Sequence, residues 1–189
     1  MQIQTRLTKA ARFTTARMTM AVTTSVLSPQ AKNQDIDIGL SKAYRQRISE
    51  SLSDILGDTY KLLIKSHIYH WNVVGPLFKP LHELTEDHYN TLFKATDVIA
   101  ERMRALGHLA PEKLGEAAQF SPAARDVNHS SAADMVADLI ATHEKAVKSM
   151  RKAATDADDN DDLVTADMLT DRLTFHEKAL WMLRAIMAQ

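Results

Sequence analysis

The chain has 189 residues, 45% apolar and 25% charged, with a formal net charge of −1, the size and balance of one globular domain with room for a core and an extension. The near-neutral charge excludes a chain that is basic throughout and binds nucleic acid by bulk charge, and the lack of cysteine excludes disulfides, zinc–thiolate sites and thiol catalysis. No apolar run approaches the roughly 20 residues of a membrane span, and five Gly and five Pro are few for an all-β fold.

The first 34 residues hold Arg6, Lys9, Arg12, Arg17 and Lys32 and no acid. Three readings stand: a solvated tail, an arm that lays Arg6, Lys9, Arg12 and Arg17 on DNA phosphates, or a cleaved presequence. The division drawn from composition is a basic tail over 1–39 and a helical domain over 40–189.

From Leu40 the apolar residues Ile48, Leu52, Ile55, Leu56 and Leu63 recur at helical spacing, and the pattern runs through His67 and His70 to a stop at Gly75-Pro76. A second helix is expected from about Pro80 to Leu106, ending at Gly107. Residues 108–130, with Pro111, Gly115 and Pro122, read as a long connection that holds at most a short helix. A third helix fits about 131–156 after a cap at Ser130-Ser131, is broken by "DADDNDD" (156–162), and gives way to a fourth over about 163–187. Four long helices with one long middle connection predict an all-α, ferritin-like four-helix bundle.

The second helix carries two faces. At about 100° per residue from Leu81, the residues Leu84, His88, Leu92, Ala95, Ile99, Met103 and Leu106 fall within about 60°, an ordinary core stripe. His82, Glu86, Asp97 and Glu101 fall at about 100°, 140°, 160° and 200°, with Phe93 among them at about 120°. A phenylalanine on that stripe implies that the second face is buried as well. The pairs His82/Glu86 and Asp97/Glu101 are each four apart and can converge, and imidazole with carboxylate suits iron or another divalent transition metal. One straight helix holds the two pairs about 22 Å apart. Two antiparallel copies, related by a two-fold axis near Thr91 and Leu92, would lay one pair over the other and create two equivalent metal sites. The intra-bundle di-iron pattern Glu-x-x-His is absent; the nearest case, Asp126/His129, lies in the connection.

"HWNVVGPLFKPLHELTEDHYNTLFKATDVIAERMRALG" (70–107) resembles the Dps family, the mini-ferritins or DNA-binding proteins from starved cells. The last helix, with "TADML" and "HEKALWMLRA", resembles that family too, so the likeness covers about 40–188. The resemblance implies a hollow dodecamer built on dimers of antiparallel second helices. It implies iron as substrate, with Fe(II) oxidised at two-fold interfaces, preferably by peroxide, and stored as ferric mineral. By position it assigns His70, His82 and Glu86 to one subunit and Asp97 and Glu101 to its mate. Many members have Asp where Glu86 stands. It implies a cytoplasmic protein, nucleoid-associated if the tail binds DNA, with no membrane partner.

His67 and Trp71 are auxiliary candidates at the first helix's end, with packing the plainer role for Trp71. His88 is expected to pack in the core, and His108, His129, His143 and His176 at the surface or in packing. Among the acids before the last helix, a solvated loop is the plain reading, while the resemblance makes Asp162 and Asp167 candidates for a cation-drawing pore.

Overall fold

The computed structural model describes residues 28–112 and 131–188, and Ala31–Gln189 forms one compact unit. Four helices follow in order: α1 (Lys42–Asn72), α2 (Phe78–Ala105), α3 (Ala132–Asp158) and α4 (Leu163–Met187). No strand occurs among the described residues, and the expected helix limits are met within about two residues at each end. Arg6, Lys9, Arg12, Arg17, His129 and the span 113–130, where a short helix was allowed, lie outside the described residues.

Each helix limit has a local cause. The Ser41 hydroxyl accepts from the Tyr44 N–H at the start of α1. Gly75 (φ 83°) turns the chain back after α1. At the end of α2, the His108 N–H donates to the Met103 carbonyl and the Gly107 N–H to the Arg104 carbonyl, a Schellman closure around Gly107 (φ 88°). Glycine is required there twice over, since a Cβ would meet the Gln34 carbonyl oxygen at 2.6 Å. Ser131 and Asp134 form a reciprocal capping box on α3.

The Gln34 N–H also donates to the Gly107 carbonyl at 2.7 Å, and Asn33 accepts from the Leu109 N–H. The segment expected as tail over 1–39 is therefore shorter, because from Ala31 on it belongs to the compact unit.

α1 packs along α2 and α3 along α4, with α1 also across α3; α2 and α4 barely touch. The eight residues of the expected core stripe, Leu81 through Leu106 at the α2 C-cap, are all buried. Tyr44, Ile48, Leu52, Ile55 and Leu62 meet them from α1, and Val136, Leu139, Met150, Leu169 and Leu183 complete the core.

One end of the bundle closes on Asp162, whose side chain is 2% exposed. It caps α4 by accepting from the Thr165 N–H at 3.0 Å and hydroxyl at 2.6 Å. It also accepts from the Arg102 guanidinium at 2.6 Å and the Tyr44 hydroxyl at 3.0 Å. Burial pushes its carboxyl up, but hydrogen bonds from Thr165 and Arg102 more than offset this and hold it below the usual carboxylate range. This corrects the expectation for Asp162 as a pore residue: both oxygens are engaged inside the chain. Asp167 is exposed one turn further along.

Three histidines share the core. His88 of α2, His143 of α3 and His176 of α4 are at most 3% exposed, with ring centroids 5.6 Å apart for His88–His143 and 5.0 Å for His143–His176. The facing Nδ1 atoms of His143 and His176 lie 2.8 Å apart, so one ring donates and the other accepts. His88 Nδ1, His143 Nε2 and His176 Nε2 find no hydrogen-bond partner. Burial drives the values down, to about 4 for His88, 2 for His143 and 3 for His176; His176 and His88 add to the fall at His143, Arg172 and His88 add to it at His176, and Asp87 opposes it at His88.

Two predictions follow from the core. Asp162→Ala leaves the Arg102 guanidinium buried and unpaired and removes the α4 cap. It should lower the unfolding free energy by about 3–5 kcal/mol, read from urea unfolding at fixed protein concentration. For the histidines, folded values below 6.5 mean that the folded state holds the neutral forms. Their stabilising contribution is complete above about pH 6.5 and is lost as pH falls through that value toward the folded ones. A His88→Phe variant should therefore lose stability less steeply than wild type between about pH 5.5 and 4.5, by about 1.4 kcal/mol per pH unit; equal slopes would contradict a neutral buried His88.

Candidate functional site

α1 and α2 run side by side, so the turn at Gly75 brings His70, near the end of α1, against His82, in the first turns of α2. Their rings stack with centroids 3.7 Å apart and planes 18° apart. The backbone makes the pair reciprocal: His70 Nδ1 lies 2.9 Å from the His82 carbonyl oxygen, and His82 Nδ1 lies 2.9 Å from the His70 carbonyl oxygen. A carbonyl only accepts, so both Nδ1 atoms carry hydrogen. Both rings are thereby held in one tautomer, with Nε2 bearing the lone pair. This is the arrangement in which imidazole ligates a metal, with the other ring nitrogen oriented by a fixed acceptor.

A ring cluster surrounds the pair. Phe78 stacks on His82 at 5.0 Å, and Tyr89 meets His70 edge-on at 5.3 Å. His67 lies between Tyr89, at 4.2 Å, and Trp71, at 4.5 Å. Trp71 is 57% exposed and thus packs on one side only. Glu86, one helical turn after His82, is exposed, and its carboxylate accepts from the Tyr89 hydroxyl at 3.4 Å. Burial, with the Glu86 charge beside it, raises the Tyr89 hydroxyl above its usual value.

Asp97 and Glu101 sit further along the same face of α2. Both are exposed and make no ion pair or hydrogen bond among the described residues. Phe93, between the two groups, is 66% exposed. Within one chain, then, the face expected to be buried is open, and no group of three or more His, Asp or Glu converges among the described residues. The chain brings His70 and His82 together, while Glu86 accepts from Tyr89 and Asp97 and Glu101 stand apart. The reading from sequence did not reach Tyr89 as the group that orients Glu86, although its place three residues on was visible. For His143 and His176 it left surface and packing open, and both are buried.

The ferritin-like domain family matches residues 49–189. A low temperature-induced protein of Nostoc sp. is 40% identical over 80% of this chain and 86% of its own length. DNA protection during starvation protein 2 of Bacillus anthracis is 32% identical over 76% of this chain and 99% of its own. Among solved structures, a Dps protein from Bacillus brevis aligns with a TM-score of 0.70 at 30% identity, over 79% of this chain and all of that one. Antigen TpF1 of Treponema pallidum aligns with a TM-score of 0.72 at 30% identity, over 82% of this chain and all of that one.

Proposed function

The chain belongs to the Dps family of ferritin-like proteins, and from that membership we propose that it oxidises Fe(II) with peroxide at sites shared between two subunits and stores the ferric product in a hollow dodecamer. The observation that carries this reading is the reciprocal His70–His82 pair, which leaves both Nε2 lone pairs available, with Glu86 one helical turn after His82. The exposed, unpaired Asp97 and Glu101 lie on the same helix face.

An antiparallel mate would bring its Asp97 and Glu101 over the histidines and cover Phe93 and Trp71, both exposed in the single chain. Neutral imidazole and carboxylate are suitable donors to Fe(II), and the carboxylates offset the charge gained on oxidation. Two Fe(II) ions give one electron each to one peroxide, which takes up two protons and leaves as two waters. No hydroxyl radical is released, and the ferric ions hydrolyse to mineral. Tyr89 steers Glu86, which is longer than the Asp common at that position. His67 and Trp71 act as a supporting stack, and Asp167 stands exposed for cations approaching the start of α4.

In stopped-flow assays with peroxide, Asp97→Ala/Glu101→Ala and His70→Ala/His82→Ala should each slow Fe(II) oxidation by about tenfold or more. Co-assembling the two variants tests the sharing. A mixed pair of subunits carries one intact site, made of histidines from one chain and acids from the other, so activity should return. No recovery in verified mixed assemblies would refute sites shared between chains.

A second reading, nucleoid compaction, is favoured by one observation: five cations and no acid in the first 34 residues. Several tails on one shell would bind DNA multivalently. Deleting residues 1–34 should abolish the gel shift of duplex DNA, and the full-length shift should weaken steeply with salt. Unchanged affinity after deletion would sink the tail as the DNA contact.

A further inference from the structure

The seam between α2 and α4 is loosely packed. It opens as two adjoining cavities of about 360 and 300 Å³ that share Thr91, the size of small-ligand sites. One is walled by Ala95, Val98 and Met168, the other by Leu84, Phe175, Ala179 and Met182. Along α2 the groove runs from Leu84 to Val98, about 21 Å at helical rise.

The polar groups around it point to an anion. Lys94 and Arg172 edge the first cavity and Lys178 the second, with Asp171 and Asp87 as the acids, one in each. None of the three cations takes part in an ion pair among the described residues. Arg172 is only partly exposed, makes no hydrogen bond, and holds its guanidinium carbon 5.9 Å from the Phe175 ring centre. A guanidinium drawn out of water without an acceptor is costly and is well formed to take a carboxylate in bidentate fashion. His88 lines the floor, 3% exposed, with Nδ1 unpartnered.

We propose that this groove binds an elongated amphipathic carboxylate of the fatty-acid kind, its headgroup on Arg172 and Lys94 and its chain along Phe175, Ala179 and Met182. Three cations against two acids suit a monoanion. The apolar walls suit a chain rather than a bare oxyanion, and the methionines can adapt to its length. The positive rim disfavours Fe(II). The groove is also distinct from the iron reading's stripe: Asp87, Val98 and Thr91 lie at about 240°, 260° and 280° around α2 from Leu81, outside the roughly 100° to 200° that His82 to Glu101 span.

The test is calorimetric titration of the full-length assembled protein with decanoate below its micelle concentration, and with inorganic phosphate as the second arm. Decanoate should bind saturably at one per chain. Arg172→Gln should weaken it tenfold or more, and Thr91→Phe, which fills the point shared by the two cavities, should abolish it with Arg172 intact. Phosphate at equal concentration should give no saturable heat. The proposal is overturned if wild type takes up no decanoate, as it would if another copy covers the groove. It is equally overturned if folded Arg172→Gln and Thr91→Phe both bind as wild type does, or if phosphate binds as tightly, which would make the site one for any oxyanion.

Discussion

The bundle is organised around one buried carboxylate. Asp162 receives the Tyr44 hydroxyl from α1, the Arg102 guanidinium from α2, and the Thr165 amide and hydroxyl from its own helix. Arg102 also reaches Thr165 through Nε at 2.8 Å, so the donors are linked to one another as well as to the acid. A buried charge without such a set would be destabilising; with it, three helix ends are fixed in register. That register is what the distant end requires, because His70 and His82 face each other only if α1 and α2 keep their relative height over some twenty residues of packed length.

Most of the fold was legible because helical periodicity is redundant. Eight residues of α2 and its C-cap share one stripe, and no single error displaces it. The unreadable part is made of single residues whose identity says little about their surroundings. Asp162 stands among Asp156, Asp158, Asp159 and Asp161, and composition cannot show which of them turns inward to meet an arginine sixty residues earlier in the chain. For His143, left open between surface and packing, a further signal decides: it sits in register with Met135, Leu139, Ala146 and Met150, all buried, and a position in the core stripe outranks the usual exposure of histidine. At the candidate site, the family resemblance assigned His70 and His82 to the same subunit's half of the site. It could not foretell the reciprocal bonds to backbone carbonyls, which depend on how the two helix ends are oriented.

α2 is thus used on three sides, and each side has its own chemistry. The core stripe is apolar apart from His88. The stripe from His82 to Glu101 is rich in donors and lies open. The third, toward α4, is apolar with a cationic rim and is not closed by its neighbour. A helix hydrophobic on one stripe and solvated elsewhere would need only the first of these. Phe93 and Val98 on outward sides, at 66% and 50% exposure, mark surfaces on which burial within one chain is incomplete.

The reciprocal histidine pair shows how the chain can prepare half a site without its other half. Each Nδ1–H is satisfied by a carbonyl, so the folded subunit pays no unpaired-donor penalty there, and each Nε2 remains an acceptor on a partly exposed ring. The opposite half is prepared differently: Asp97 and Glu101 stay hydrated on an exposed helix face, where two carboxylates one turn apart repel only weakly. Burying those acids against a second apolar face would be unfavourable unless a cation accompanied them. On the proposed reading, iron and the partner subunit therefore assist each other. The mate supplies the carboxylates that oxidised iron needs, and the metal offsets the charge that would otherwise oppose closing Phe93 and its neighbours into the interface.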